Sequence, residues 1–195
     1  MSTEVLLRDA QTYRAWLRKA PWVMAIVLIA QFSHGVLAAE PLFGAIDQQG
    51  ERAAVEMVRA GKADLSARNA GGDTALHRAV ETGMKQLLEA LLARGADAQA
   101  RTKNGEAALH LAALHPEPVF TDLLLAAGAD PRARNADGET PLHWAALSGH
   151  IVVLQRLLAR GADARQKTAK GFTALDYARR EGHAEIAKLL ERVDQ

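Results

Sequence analysis

The chain has 195 residues, no cysteine, and 24 Lys+Arg against 23 Asp+Glu, a formal charge of +1. The missing cysteine excludes a disulfide framework, a thiolate nucleophile and Cys-ligated zinc; the balanced charge lacks the basic excess by which proteins hold phosphate polymers, so no nucleic acid partner is expected. Hydrophobic residues make up 49% and aromatics 5%, so the core must be built mainly from Leu and Ala, which favours helices over a sheet sandwich.

At the amino terminus, Arg14, Arg18 and Lys19 precede an apolar run from Trp22 to Ala30, and small residues follow at Ala38 and Ala39. Residues 1–38 therefore read as a signal peptide cleaved after Ala38, or as a membrane anchor if cleavage does not occur. Gln31, Ser33, His34 and Gly35 count against a spanning helix, which needs about 20 predominantly apolar residues. An exported chain with no cysteine and no Asn-x-Ser/Thr acceptor fits a bacterial periplasm, so a periplasmic location is expected, with membrane association only if the segment is retained. Residues 39–195 carry 20 basic and 21 acidic residues.

Past residue 70 the chain repeats itself every 33 residues: GDTALHRAVETG from Gly72, GEAALHLAALHP from Gly105, GETPLHWAALSG from Gly138 and GFTALDYARREG from Gly171. A second block follows the first three, as LLEALLARGADAQAR from Leu87, TDLLLAAGADPRAR from Thr121 and LQRLLARGADARQK from Leu154. Thr74, Thr140 and Thr173 suit a helix start, where a side-chain oxygen accepts an orphan N–H, and Pro141 suits the first helical turn. Leu87, Leu88, Leu91 and Leu92 form an apolar stripe that one unit cannot bury, so units must stack. Gly95, Gly128 and Gly161 end the second helix, and Asn104-Gly105 and Asp137-Gly138 favour tight hairpins between units.

These residues resemble the ankyrin repeat, whose hallmark is a turn, Thr-Pro-Leu-His-x-Ala opening a first helix, and a second helix ending in Gly-Ala-Asp. Residues 140–143 carry the tetrapeptide in full, and the other units vary it. Residues 41–68 lack it, but Phe43 sits 33 before Leu76 and Gly50 sits 33 before Gly83. The resemblance implies an all-α repeat solenoid, an ankyrin stack of about five helix-turn-helix units with short β-hairpin fingers. Residues 39–195 then form one ankyrin-repeat domain, with units at about 40–68 (a cap), 69–101, 102–134, 135–167 and 168–195 (a cap).

His77, His110 and His143 occupy one column, but units stack about 8 to 10 Å apart whereas zinc ligands lie about 2 Å from the metal, so they read as helix-start residues bonding backbone. No nucleophile–base motif or phosphate-cradling loop is present; no catalysis, cofactor or metal is expected. Arg68, Arg101, Arg134 and Lys167 recur just before each turn, and Asp73, Glu106 and Glu139 just after it. They read either as cross-strand pairs within each finger or as a charged rim that orients a partner.

The resemblance implies a non-catalytic module that binds a protein partner through its concave face, as an adaptor or envelope-protection factor; the alternative is an immunity protein or inhibitor of a periplasmic toxin or hydrolase. A monomer is expected. Carried over by register, the variable positions include Lys103, Glu106 and Glu139 at the fingers and Leu114, His115, Leu147 and Arg180 at the ends of first helices. Trp144 and Tyr177 share a column with Arg78 and Leu111. Trp144, Leu147, Phe172 and Tyr177 make an anchor patch of the kind that concentrates binding energy, although packing between units competes for Trp144. His115-Pro116-Glu117-Pro118 replaces the Gly-His loop of the other units and either stiffens that loop or shapes a contact.

Overall fold

The computed structural model describes residues 40–193, all within one unit, Ala39–Gln195. The expected signal segment and its cleavage site lie outside the described residues. Ten α-helices follow in order: α1 Glu40–Gly44, continued by a π-helical turn at Ala45–Gln49, α2 Glu51–Arg59, α3 Ala75–Glu81, α4 Lys85–Ala93, α5 Ala108–Ala112, α6 Val119–Ala126, α7 Pro141–Ser148, α8 Ile151–Ala159, α9 Ala174–Arg180 and α10 Ala184–Val193. From α3 onward a first helix packs on the second helix that follows it. First helices also touch first helices (α3 to α5, α5 to α7, α7 to α9) and second helices touch second helices (α2 to α4, α4 to α6, α6 to α8, α8 to α10), which gives two helical layers. The all-α repeat architecture expected from the sequence is present.

The core lies between the layers. Leu76, Leu109 and Leu142 from the first helices and Leu88, Leu91, Leu124, Leu154 and Leu157 from the second are fully buried, and Ala79, Ala112, Ala145 and Ala178 allow first helices to approach closely. Phe43 is buried where Leu76 lies one unit later, so the amino-terminal pair joins the same core without the signature tetrapeptide. The second helix of the last pair presents Ile186, Ala187 and Leu190 inward and leaves Glu185, Lys188 and Arg192 in solvent.

Helix starts differ in one respect from the threonine-capping expectation. Of Thr74, Thr140 and Thr173, Thr173 alone has a hydroxyl that accepts a backbone N–H of its helix, from Asp176 at 3.3 Å. In α3 and α7 the histidine at the third helical position turns back instead: its Nδ1 accepts from the N–H of Thr74 (3.3 Å) or Thr140 (3.1 Å) and bonds the same threonine's hydroxyl at 2.9 or 2.8 Å. In α5, where Ala107 has no hydroxyl, His110 Nδ1 still accepts the Ala107 N–H at 3.1 Å. The imidazole is longer than a hydroxyl and can satisfy the start of its own helix while leaving Nε2 for another unit.

The connections between units close as tight turns. Isolated antiparallel bridges join Arg68 to Thr74 and Arg101 to Ala107, and later turns close with Asn135 N–H on Glu139 O and Thr168 N–H on Phe172 O; no strand forms among the described residues. Successive turns are in contact: the Ala136 and Ala169 N–H groups donate to Asn104 O and Asp137 O, both at 2.8 Å. Gly138 is required there. Its φ is +75°, and a Cβ would fall 2.9 Å from the Ala169 nitrogen, so both the left-handed conformation and the close approach of the next turn demand glycine.

Candidate functional site

The histidine column is consumed by the stack. Because Nδ1 accepts an N–H, the proton sits on Nε2, which donates to the next unit: His77 to Glu106 O at 3.1 Å, His110 to Glu139 O at 3.1 Å and His143 to Phe172 O at 3.2 Å. All three rings are buried, and burial pulls their pKa values down, His110 to about 4, so they stay neutral. Two loop histidines do similar work: His150 Nδ1 bonds Ala113 O at 3.2 Å and His183 Nε2 bonds Leu147 O at 3.0 Å, each tying a unit to the one before it.

One residue along, the chemistry changes from unit to unit. Arg78 holds Asp47 at 2.7 Å and Glu81 at 2.5 Å, and Leu111 is half-buried without a polar group. Trp144 and Tyr177 converge on one carboxylate. Glu139 Oε2 accepts from Trp144 Nε1 at 2.8 Å and from Asn135 Nδ2 at 3.0 Å, while Oε1 accepts from Tyr177 Oη at 2.6 Å. The Asn135 amide also fixes the Glu139 backbone, its Oδ1 accepting the Glu139 N–H at 2.9 Å. Burial acts to raise the Glu139 carboxyl, but the hydrogen bonds from Tyr177, Trp144 and Asn135 outweigh it and hold the group ionised below its ordinary range. Burial and the same bond push Tyr177 up to about 12.

The two rings are held from the back as well. Trp144 meets His110 edge-on, ring centroids 5.5 Å apart, and Tyr177 meets His143 at 5.6 Å and Phe172 at 6.4 Å. The Arg180 guanidinium lies over the Tyr177 ring at 4.8 Å, a cation–π contact, and its Nε donates to Glu181 at 2.9 Å. Phe172 is 46% exposed, whereas Trp144 and Tyr177 are half-buried. The result is a connected aromatic and charged cluster spanning the units of α7 and α9.

Of the residues singled out in the sequence, Glu139, Trp144, Phe172, Tyr177 and Arg180 thus form one connected group. Leu147 lies one turn along α7 from Trp144, half-buried, with its carbonyl used by His183. The other four sit apart from these contacts. Leu114 is 43% exposed just beyond α5, and His115 stacks on Phe120 at 4.8 Å within the proline loop. Lys103 reaches back to Ala70 O at 2.6 Å, and Glu106 accepts from the Thr102 hydroxyl at 3.3 Å.

Three features escaped the sequence. Asn135 anchors Glu139, for which the signal was its place four residues before an acid, repeated by Asn69 and Asp73. Glu51 of α2 accepts the N–H groups of Gln86 (2.6 Å) and Leu87 (3.2 Å), capping α4 from the unit before, and no local pattern announces it. The third is a correction. The cross-strand pairing read for the charge columns does not form: Arg68, Arg101 and Arg134 bond backbone carbonyls, while Asp73 and Glu139 turn to Asn69 and Asn135 and Glu106 to Thr102. The asparagine or threonine four residues earlier sits closer across the turn than the arginine, and the arginine is long enough to reach the next unit.

No curated protein is significantly similar to this chain. A family model described as ankyrin repeats (3 copies) matches residues 42–135 and 117–194, nearly all of the described fold. The helix pairs, the histidine column and this match agree: the chain belongs to the ankyrin-repeat family, whose repeats generally mediate protein–protein interaction.

Proposed function

We propose that the protein is a non-catalytic interaction module that seizes one protein partner with the face formed by its first helices and turns, the concave face of an ankyrin stack. The observation that carries this is the shared carboxylate of Glu139, which fixes Trp144 and Tyr177 side by side beside exposed Phe172. Preorganised aromatics lose little side-chain entropy on binding, and aromatic anchors surrounded by near-neutral contacts are where interface energy concentrates. Leu147 and Arg180 extend the patch, and Leu114, His115, Lys103, Glu106 and Glu139 supply a rim along the preceding units. Five helix pairs act as five units in this reading, the turns serving as fingers and the first and last pairs as caps.

The location belongs to the same proposal. Residues 1–38 export the chain, and the domain from residue 39 works in a bacterial periplasm as a monomer, in an adaptor or envelope-protecting role. Mass spectrometry of the amino terminus of the cell-made protein tests the first point: a start at Ala39 is expected, and a soluble cytoplasmic product that retains Met1 would overturn it. For the second, affinity capture from an envelope extract compares the native chain with a variant carrying Trp144→Ala, Leu147→Ala and Phe172→Ala. Loss of one captured protein is expected in the variant; equal capture by both would refute the patch. A captured hydrolase or toxin inhibited at a stoichiometric ratio would replace the adaptor role with that of an immunity protein.

A further inference from the structure

Arg68, Arg101, Arg134 and Lys167 hold the same position in successive units, and each arginine reaches the next member of the column. Arg68 Nη1 donates to the Arg101 carbonyl, Arg101 Nη1 to the Arg134 carbonyl at 2.8 Å, and Arg134 Nη2 to the Lys167 carbonyl at 3.1 Å. Four cations therefore run as one continuous row along the stack. A carbonyl partner fixes a guanidinium without neutralising it. Arg68 and Arg101 use Nη1 alone, so Nε and Nη2, which share one edge of the guanidinium, keep N–H donors in the planar fork that fits a carboxylate; Arg134 uses Nη2 and keeps donors on Nε and Nη1.

The acids near the row make no ion pair with it and are hydrogen-bonded by neutral groups, although Asp176 acts electrostatically on Lys167. Asp73 and Glu139 are bound by the Asn69 and Asn135 amides and Glu106 by the Thr102 hydroxyl. On the preceding loops Asp64, Asp97, Asp130 and Asp163 each accept the N–H of the residue two further on. A domain of nearly balanced charge thus carries a line of cations at a fixed repeat, none of them held in an ion pair among the described residues.

We infer that this row is a docking track for an extended acidic segment of the partner, and the inference rests on the protein-binding reading above. Packed helices lie about 8 to 10 Å apart, and a chain in the extended polyproline II conformation advances about 3.1 Å per residue and returns to the same face every third residue, so a carboxylate on every third residue keeps pace with one cation per unit. Nucleic acid fits less well, because a single row of cations spaced by whole units offers few phosphate contacts. The track supplies steering and register; the aromatic patch supplies affinity.

The test titrates the full-length chain into a fluorescent peptide with Asp at every third position and follows anisotropy at low salt and at about 0.15 M. Saturable binding that weakens with salt is expected, and the same peptide with Asn for Asp should not bind. Arg68→Gln, Arg101→Gln, Arg134→Gln and Lys167→Gln should each weaken binding roughly threefold, and the quadruple variant more than tenfold. Because those side chains also hold neighbouring turns, the Asn peptide against the native chain gives a readout free of folding effects: equal affinity for both peptides overturns the track. So does displacement of the Asp peptide by a single-stranded oligonucleotide at lower charge concentration than by unlabelled peptide. Running Trp144→Ala beside these separates the two readings. A quadruple variant that captures its partner as well as the native chain, with no peptide binding by either, sinks the track and leaves the patch standing. Peptide binding that survives with no protein captured sinks the patch instead.

Discussion

Two neighbouring columns of the first helices differ in kind although they are one residue apart. His77, His110 and His143 do the same work in each unit, an N–H accepted at Nδ1 and a carbonyl of the next unit bonded through Nε2. Arg78, Leu111, Trp144 and Tyr177, next along, take part in an ion pair, an apolar contact and two bonds to one carboxylate. The first column faces backbone groups that three successive units present alike, so histidine recurs in them; the last unit, with none after it, carries Asp176, which accepts the Thr173 N–H in the same way. The second faces side chains and solvent, so it is released from the fold and available to recognition.

The comparison is best strained on its constant side. His110→Leu strands the Ala107 N–H and the Glu139 carbonyl in a buried site, and a loss of about 3 kcal/mol in unfolding free energy by urea titration is expected, with the helical spectrum retained below the transition. A loss under about 0.5 kcal/mol would show that the column does not hold the stack.

Acid should probe the same column without mutation. The folded pKa of His110 is depressed to about 4 against 6.5 for an ordinary histidine, so the unfolded chain takes up the proton first. Stability from this group is complete above about pH 6.5 and lost as pH falls toward 4, on the order of 3 kcal/mol for His110, and His77 and His143 act in the same direction. Urea midpoints at pH 7 and pH 5 should separate the native chain from His110→Leu, whose midpoint should fall less.

On the variable side the effects should be smaller on folding and larger on binding. Trp144→Ala should weaken partner capture by about 2 kcal/mol, roughly thirtyfold, measured by competition binding with the captured partner. Tyr177→Phe deletes only the hydroxyl that bonds Glu139 and should cost about 1 kcal/mol of stability, with the Glu139 carboxyl titrating higher by carbon-detected NMR. Arg78→Ala should cost least, under about 1 kcal/mol, because its ion pairs with Asp47 and Glu81 are partly solvent-screened. Should Arg78→Ala and Trp144→Ala weaken capture equally, the division of this column into an anchoring half and a half that serves the fold alone fails.

The sequence reached far into the fold because the signals are local. A leucine stripe at helical spacing, proline at a first helical turn and glycine after each second helix are decided within a dozen residues and need no partner from elsewhere, and their recurrence every 33 residues gives the repeat. The candidate patch was legible only as a register: position placed Trp144 and Tyr177 in one column, but nothing in the chain order tells that Glu139, 38 residues before Tyr177, lies between them. The charge columns show the opposite error. Arg68 and Asp73 are near in sequence and invite pairing, yet Arg68 bonds a carbonyl 33 residues away.

What the sequence determined by itself is the repeat, the helices and the layer each residue faces, because stacking identical units leaves one geometry that buries the leucine stripe. Only tertiary structure decided which polar groups meet. Those contacts join residues about one unit apart, where rise and rotation between units choose among several carbonyls and carboxylates within reach of a long side chain. That choice set the Glu139 cluster and turned the arginines of the column onto carbonyls of the next unit instead of the acids of their own turns.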